Sequence, residues 1–110
     1  MSGLEGRKCV PCETGAKPMG LEKARDLLSK SPGWSLNEKG WIVKEKRLKD
    51  FKEAVAFANK VAELAENEGH HPNIYLHDWN KLRLELYTHS IGGLSENDFI
   101  MAAKISKLLA

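Results

Sequence analysis

Apolar residues along this chain alternate between a helical period and a period of two. After Pro18 and Gly20, residues Leu21, Ala24, Leu27 and Leu28 mark one face of a short helix, which Ser31-Pro32-Gly33 ends. Two β-prone stretches follow, Trp34–Leu36 and Trp41–Val43, around Asn37-Glu-Lys-Gly40. Such a pair around a glycine-containing turn predicts a hairpin, its second strand running to about Leu48. Asp50 and Glu53 have the spacing of a capping box. Behind it Phe51, Ala54, Val55, Ala58, Val61, Ala62 and Ala65 recur at helical spacing to about Asn67, and Gly69 stops the run. Pro72 opens a second β region. Over residues 82–88, Leu82, Leu84 and Leu86 alternate with Arg83, Glu85 and Tyr87, the mark of a half-buried strand. Gly92-Gly93 turns the chain, and Ser95-Glu-Asn-Asp98 caps a last helix carrying Phe99, Ala102, Ile105 and Leu109.

The order α-β-β-α-β-β-α predicts an α+β fold: a two-layer domain, a four-stranded antiparallel sheet with helices on one face. That architecture leaves one sheet face and two strand edges uncovered, so a homo-oligomer, dimer or tetramer, is expected. Residues 1–19 carry Gly, Pro and charge without periodicity. They read as a flexible arm ahead of a domain over 20–110.

Composition narrows the function. The chain has 110 residues, about one domain's worth. Seventeen Lys and Arg against 15 Asp and Glu leave a net charge of +2, too little to argue direct nucleic-acid binding from charge. No apolar run has the length of a membrane span, and no secretory leader is visible. Cys9 and Cys12 form a lone C-V-P-C. Without a second pair or a nearby βαβ unit, it reads as a reduced pair rather than a zinc or redox centre. A cytoplasmic protein is expected.

All four histidines, His70, His71, His77 and His89, fall within residues 70–89. Histidine can give or take a proton near neutrality, and two of them can serve one substrate as acid and base. His70 and His71 follow a helix stop and precede Pro72. Adjacent side chains in an extended segment point to opposite sides, so one meets a pocket while the other braces it or binds ligand. If the two later β stretches pair as a hairpin, His89 comes to the same end as His70 and His71. Surface loop histidines are the bland alternative, and His77 reads as one. Adjacent histidines without H-x-x-x-H spacing make a poor metal site. There is no phosphate loop and no G-x-S-x-G. The enzymatic class left is cofactor-free proton transfer on a small molecule.

The run Glu66-Asn-Glu-Gly-His70-His71-Pro72, then Trp79-Asn80-Lys81, Thr88-His89 and Gly93-Leu-Ser-Glu-Asn-Asp98 resembles the pterin-4a-carbinolamine dehydratases. These are also known as dimerization cofactors of a homeodomain transcription factor. Gly33-Trp34 and Lys49-Asp50-Phe51 extend the resemblance toward the first helix, while the cysteine-bearing arm lies outside the animal pattern. The resemblance implies dehydration of 4a-hydroxytetrahydropterin to quinonoid dihydropterin, recycling tetrahydrobiopterin. It implies His70 and His89 as the acid/base pair and His71 as a substrate-binding residue. Glu66, one turn before His70, is expected either to orient it or to stand as a solvated helix-end carboxylate, and Trp34 and Trp79 either to wall the pterin site or simply to pack. Pro72 would fix the turn that aims the histidines, and Asp98 would serve chiefly as a first-turn helix carboxylate. A non-catalytic binding protein of the same fold, with a protein partner, is the competing reading.

Overall fold

The computed structural model describes residues 4–6 and 18–109, with the backbone alone at Glu5 and Leu109. Helix α1 spans Leu21–Ser29, strands β1 and β2 span Ser35–Leu36 and Ile42–Arg47, and helix α2 spans Phe51–Glu68. Strands β3 and β4 follow at Asn73–His77 and Lys81–Leu86, then a 3₁₀ turn at His89–Ile91 and helix α3 at Glu96–Leu109. The sheet is antiparallel in the order β1-β2-β4-β3. This is the α+β, two-layer arrangement expected from the sequence, with element boundaries shifted by a residue or two.

Local chemistry accounts for the elements. The β1–β2 turn closes on Asn37, whose Oδ1 accepts from the backbone N–H of Lys39 and Trp41 at 3.0 and 2.9 Å. Asp50 caps α2 by accepting from Glu53 N at 2.8 Å, and Glu53 reaches back to Lys49 N at 3.2 Å. The capping box therefore forms, with its return bond one residue before the cap. Gly69 ends α2 at φ +67, a left-handed conformation that an L side chain adopts only with strain.

The core lies between the sheet and α2 and α3. Ile42, Leu82, Leu84 and Leu86 from the sheet are buried, as are Val61 and Ala65 of α2 and Phe99, Met101 and Ile105 of α3. β2 breaks the alternation, because Lys44 sits opposite Leu84 on the covered side. Its Nζ lies so close to the Gly33 corner that a Cβ at Gly33 would collide with it. Burial, with Lys46 nearby, pulls the Lys44 ammonium below its ordinary pKa.

Two pieces of the segment expected as a flexible arm pack against the body. Leu4, in a 3₁₀ turn over Leu4–Gly6, is buried within the hydrophobic core. Met19 packs against that core and donates from its backbone N to Leu94 O at 2.8 Å. A single leucine in a one-turn element carries no period, so the pattern could not reveal it. Cys9 and Cys12, and the reading of them as a reduced pair, lie outside the described residues.

Candidate active site

The antiparallel pairing of β3 with β4 puts Asn73 opposite Glu85, so the start of β3 and the end of β4 share one end of the sheet. His70 and His71 lie just before β3, and His89 lies just after β4. Together with Tyr87, Thr88 and Asn97 they line an open cavity of ≈ 220 Å³. The hairpin that brings the three histidines together is the one the sequence suggested.

Asp98 organises this end. It is fully buried in the first turn of α3, and its Oδ1 lies 2.6 Å from His70 Nε2. Its Oδ2 accepts from Thr88 Oγ1 and from the backbone N of Ser95, both at 2.9 Å. The Thr88 proton is thereby committed to Asp98, so at the 2.7 Å Thr88–Ser95 contact the Ser95 hydroxyl donates. The carboxylate is acceptor on both oxygens. His70 Nε2 therefore carries a hydrogen, and Nδ1 is the ring atom left to exchange a proton with a bound molecule. At the helix N-terminus Asp98 accepts from Ser95 N. It also holds a histidine 28 residues away in sequence, which the expectation did not include.

Glu66 and the two tryptophans lie away from His70 and the cavity. Glu66 stands 3.7 Å from His71 Nε2 rather than at His70, in an exposed pair. His70 leaves α2 through the left-handed Gly69, so a helical turn counted back from it does not reach Glu66. Trp34 is buried in the core and donates from Nε1 to Ser106 Oγ at 3.1 Å. Trp79 sits exposed in the β3–β4 turn at φ +57, at the opposite end of the hairpin from the histidines. Neither tryptophan lines the cavity within this chain. Pro72 occupies the link between His71 and β3, where its fixed φ restricts the approach to the strand. His77, at the far end of β3, pairs with Glu45 and Asp78 at 3.0 and 3.1 Å.

Tyr87 and Thr88 were not singled out from sequence as site residues. The signal was present for Tyr87, which shares strand parity with His89. The Ile42–Leu86 pairing places Trp41 opposite Tyr87, and their rings stack at 3.9 Å and 4°. Tyr87 also lies 4.1 Å from the His89 ring, tilted by 42°. Among the described residues, no cluster of three His, Cys, Asp or Glu side chains is arranged to hold a metal ion.

The family described as Pterin 4 alpha carbinolamine dehydratase matches residues 17–108. The chain belongs to that family. A dehydratase relative from Methylococcus capsulatus is 46% identical over 108 residues, covering 97% of this chain and 94% of the relative. Pterin-4-alpha-carbinolamine dehydratase 2, mitochondrial, from Arabidopsis thaliana is 44% identical over 112 residues. That match covers 98% of this chain, which spans 60% of the plant protein's length. A crystal structure of a transcriptional coactivator/pterin dehydratase from Brucella melitensis superposes with a TM-score of 0.80 at 27% identity. It covers 86% of this chain and 100% of the other. The enzyme class expected from the sequence, a hydro-lyase, is the one these dehydratase names carry. Among the described residues, no helix is long and apolar enough to cross a membrane.

Proposed function

We propose that the chain dehydrates 4a-hydroxytetrahydropterin to quinonoid dihydropterin and water, with His70 and His89 as acid/base pair. The observation that carries this reading is three histidines lining one cavity, one of them anchored on a buried carboxylate. In the carbinolamine, the N5 lone pair expels the C4a hydroxyl. The C4a–O bond breaks, a C4a=N5 double bond forms, and N5 loses its proton. The protein has to deliver a proton to the departing oxygen and accept one from N5, which needs neither a metal nor a nucleophile. His70 Nδ1 delivers the proton, because an imidazolium at His70 is balanced by Asp98. His89 accepts the N5 proton, and His71 binds the substrate. Turnover with pterin consumption, followed by absorbance on freshly generated carbinolamine, tests the reading. Loss no faster than the buffer rate with folded protein would overturn it.

A second reading is a binding role on the same fold, with a protein partner. The Brucella protein's name, which joins coactivator and dehydratase, favours keeping it. It predicts a captured partner whose binding survives His70→Ala/His89→Ala. The homodimer or homotetramer expected from the open sheet face belongs to the proposal, and sedimentation of the purified chain tests it. The cytoplasmic location does too. The Arabidopsis relative is named mitochondrial, and imaging of a tagged chain in its host decides between the two compartments.

A further inference from the structure

His70 and His89 face the same cavity but are held by different means. His70 has a 2.6 Å bond to a buried carboxylate. His89 opens an exposed 3₁₀ turn, and among the described residues its ring makes no hydrogen bond or ion pair. An unanchored surface imidazole samples several rotamers, and a proton acceptor in a poor rotamer is out of reach of its substrate. What His89 does have is an aromatic contact, 4.1 Å from the Tyr87 ring centroid. Two rings come that close only over a face, because an edge-on approach would overlap their atoms. Trp41 already covers one face of Tyr87, parallel and at 3.9 Å. His89 therefore lies on the other, and Tyr87 is sandwiched between the two. Trp41 is in turn capped by Lys39 Nζ, 4.6 Å from its ring.

We propose that Tyr87, backed by Trp41, is a positioning residue that fixes the His89 ring in the cavity wall by stacking. The catalytic consequence rests on the acid/base reading of His89; the placement of the ring does not. Continuing the β2–β4 register by one residue sets Trp41 against Tyr87, so the end of the sheet, rather than the turn that carries it, determines where His89 rests. Aromatic pairs of this kind contribute beyond the area they bury, enough to favour one rotamer of an exposed ring. Among the described residues the Tyr87 hydroxyl makes no hydrogen bond, so the ring is the working part.

The test uses NMR of the His89 ring protons together with dehydration kinetics, on wild type, Tyr87→Phe, Tyr87→Leu, Trp41→Leu and His89→Ala. In wild type, the His89 ring protons should lie upfield of a free histidine, shifted by the Tyr87 ring current. Tyr87→Leu should abolish that shift and lower kcat severalfold. In Tyr87→Leu/His89→Ala, kcat should fall no further than in His89→Ala alone, because both changes remove the same function. Tyr87→Phe should keep the shift and recover most of the turnover that Tyr87→Leu loses. Trp41→Leu should weaken the shift, and it serves as the second variant should Tyr87→Leu not fold. Unshifted His89 protons in wild type, or an unchanged shift in Tyr87→Leu, would overturn the proposal. So would fully additive losses in the double variant. A His89→Ala protein with full turnover would instead remove the acid/base reading, leaving the ring-current result to decide the placement.

Discussion

His70 Nε2 meets Asp98 Oδ1 at 2.6 Å, and Asp98 is wholly buried. The bond links the end of α2 to the first turn of α3 and leaves one ring nitrogen of His70 free. Asp98→Asn can still accept from His70, but its amide nitrogen then faces Thr88 Oγ1 and Ser95 N–H, and the N–H is left without an acceptor. The expected outcome is a loss of about 1–3 kcal/mol in stability, the penalty for an unmatched buried polar group. Turnover should fall by roughly tenfold, since the imidazolium loses its counter-charge. Thermal unfolding and kcat, measured on the same preparation, check both parts.

Thr88 is the second support of that carboxylate, with one bond to Asp98 and one from Ser95. Thr88→Val keeps the shape and removes both. It should lower stability by about 1–2 kcal/mol, and Thr88→Ser should restore most of it. Denaturant midpoints of the three proteins give the comparison; a Val variant as stable as wild type would contradict the network.

His71 differs from His70 in being exposed, with only a 3.7 Å approach to Glu66. In the proposed reaction it binds substrate. His71→Ala should raise KM by roughly tenfold while kcat changes less, the pattern of a lost uniform binding contact. An unchanged KM would remove His71 from the binding role.

Lys44 gives the fold a pH dependence. Burial lowers its pKa from 10.5 in the folded chain. Between the folded value and 10.5, the unfolded chain holds the Lys44 proton and the folded chain does not, so this group makes stability rise with pH across that window. Below the window the charged lysine is held at a penalty. Lys44→Met should remove that contribution, so the gain over wild type is largest near neutrality and shrinks toward pH 10.5. Denaturant midpoints at several pH values, taken as variant minus wild type, isolate it from the other titrating groups.

The fold was legible because its signals are local. The Leu82, Leu84 and Leu86 alternation marks β4, and Asp50 with Glu53 marks the start of α2; both lie within a few residues of what they specify. The histidine cluster was legible for a related reason, since two strands paired as a hairpin must share ends. The partners of the histidines were not. Asp98 is a first-turn helix residue by every local rule, and only the packing of α3 against the sheet brings it to His70. Trp41 and Tyr87 meet because β2 pairs with β4 in one register, which no sequence period reports. For Trp34 and Trp79 the resemblance offered a pocket-wall role, with plain packing as the alternative. The structure gives Trp34 a core position with a bond to Ser106 and puts Trp79 at the far turn.

The central claim is that His70 and His89 together move the protons of the dehydration. It is tested most directly by following freshly generated 4a-hydroxytetrahydropterin with wild type and with folded His70→Ala, His89→Ala and the double variant. Wild type should accelerate the loss, each single variant should turn over at least tenfold more slowly, and the double variant should approach the uncatalysed rate, given that general acid–base groups typically contribute ~10²–10⁴. A folded double variant that matched wild type would contradict the account.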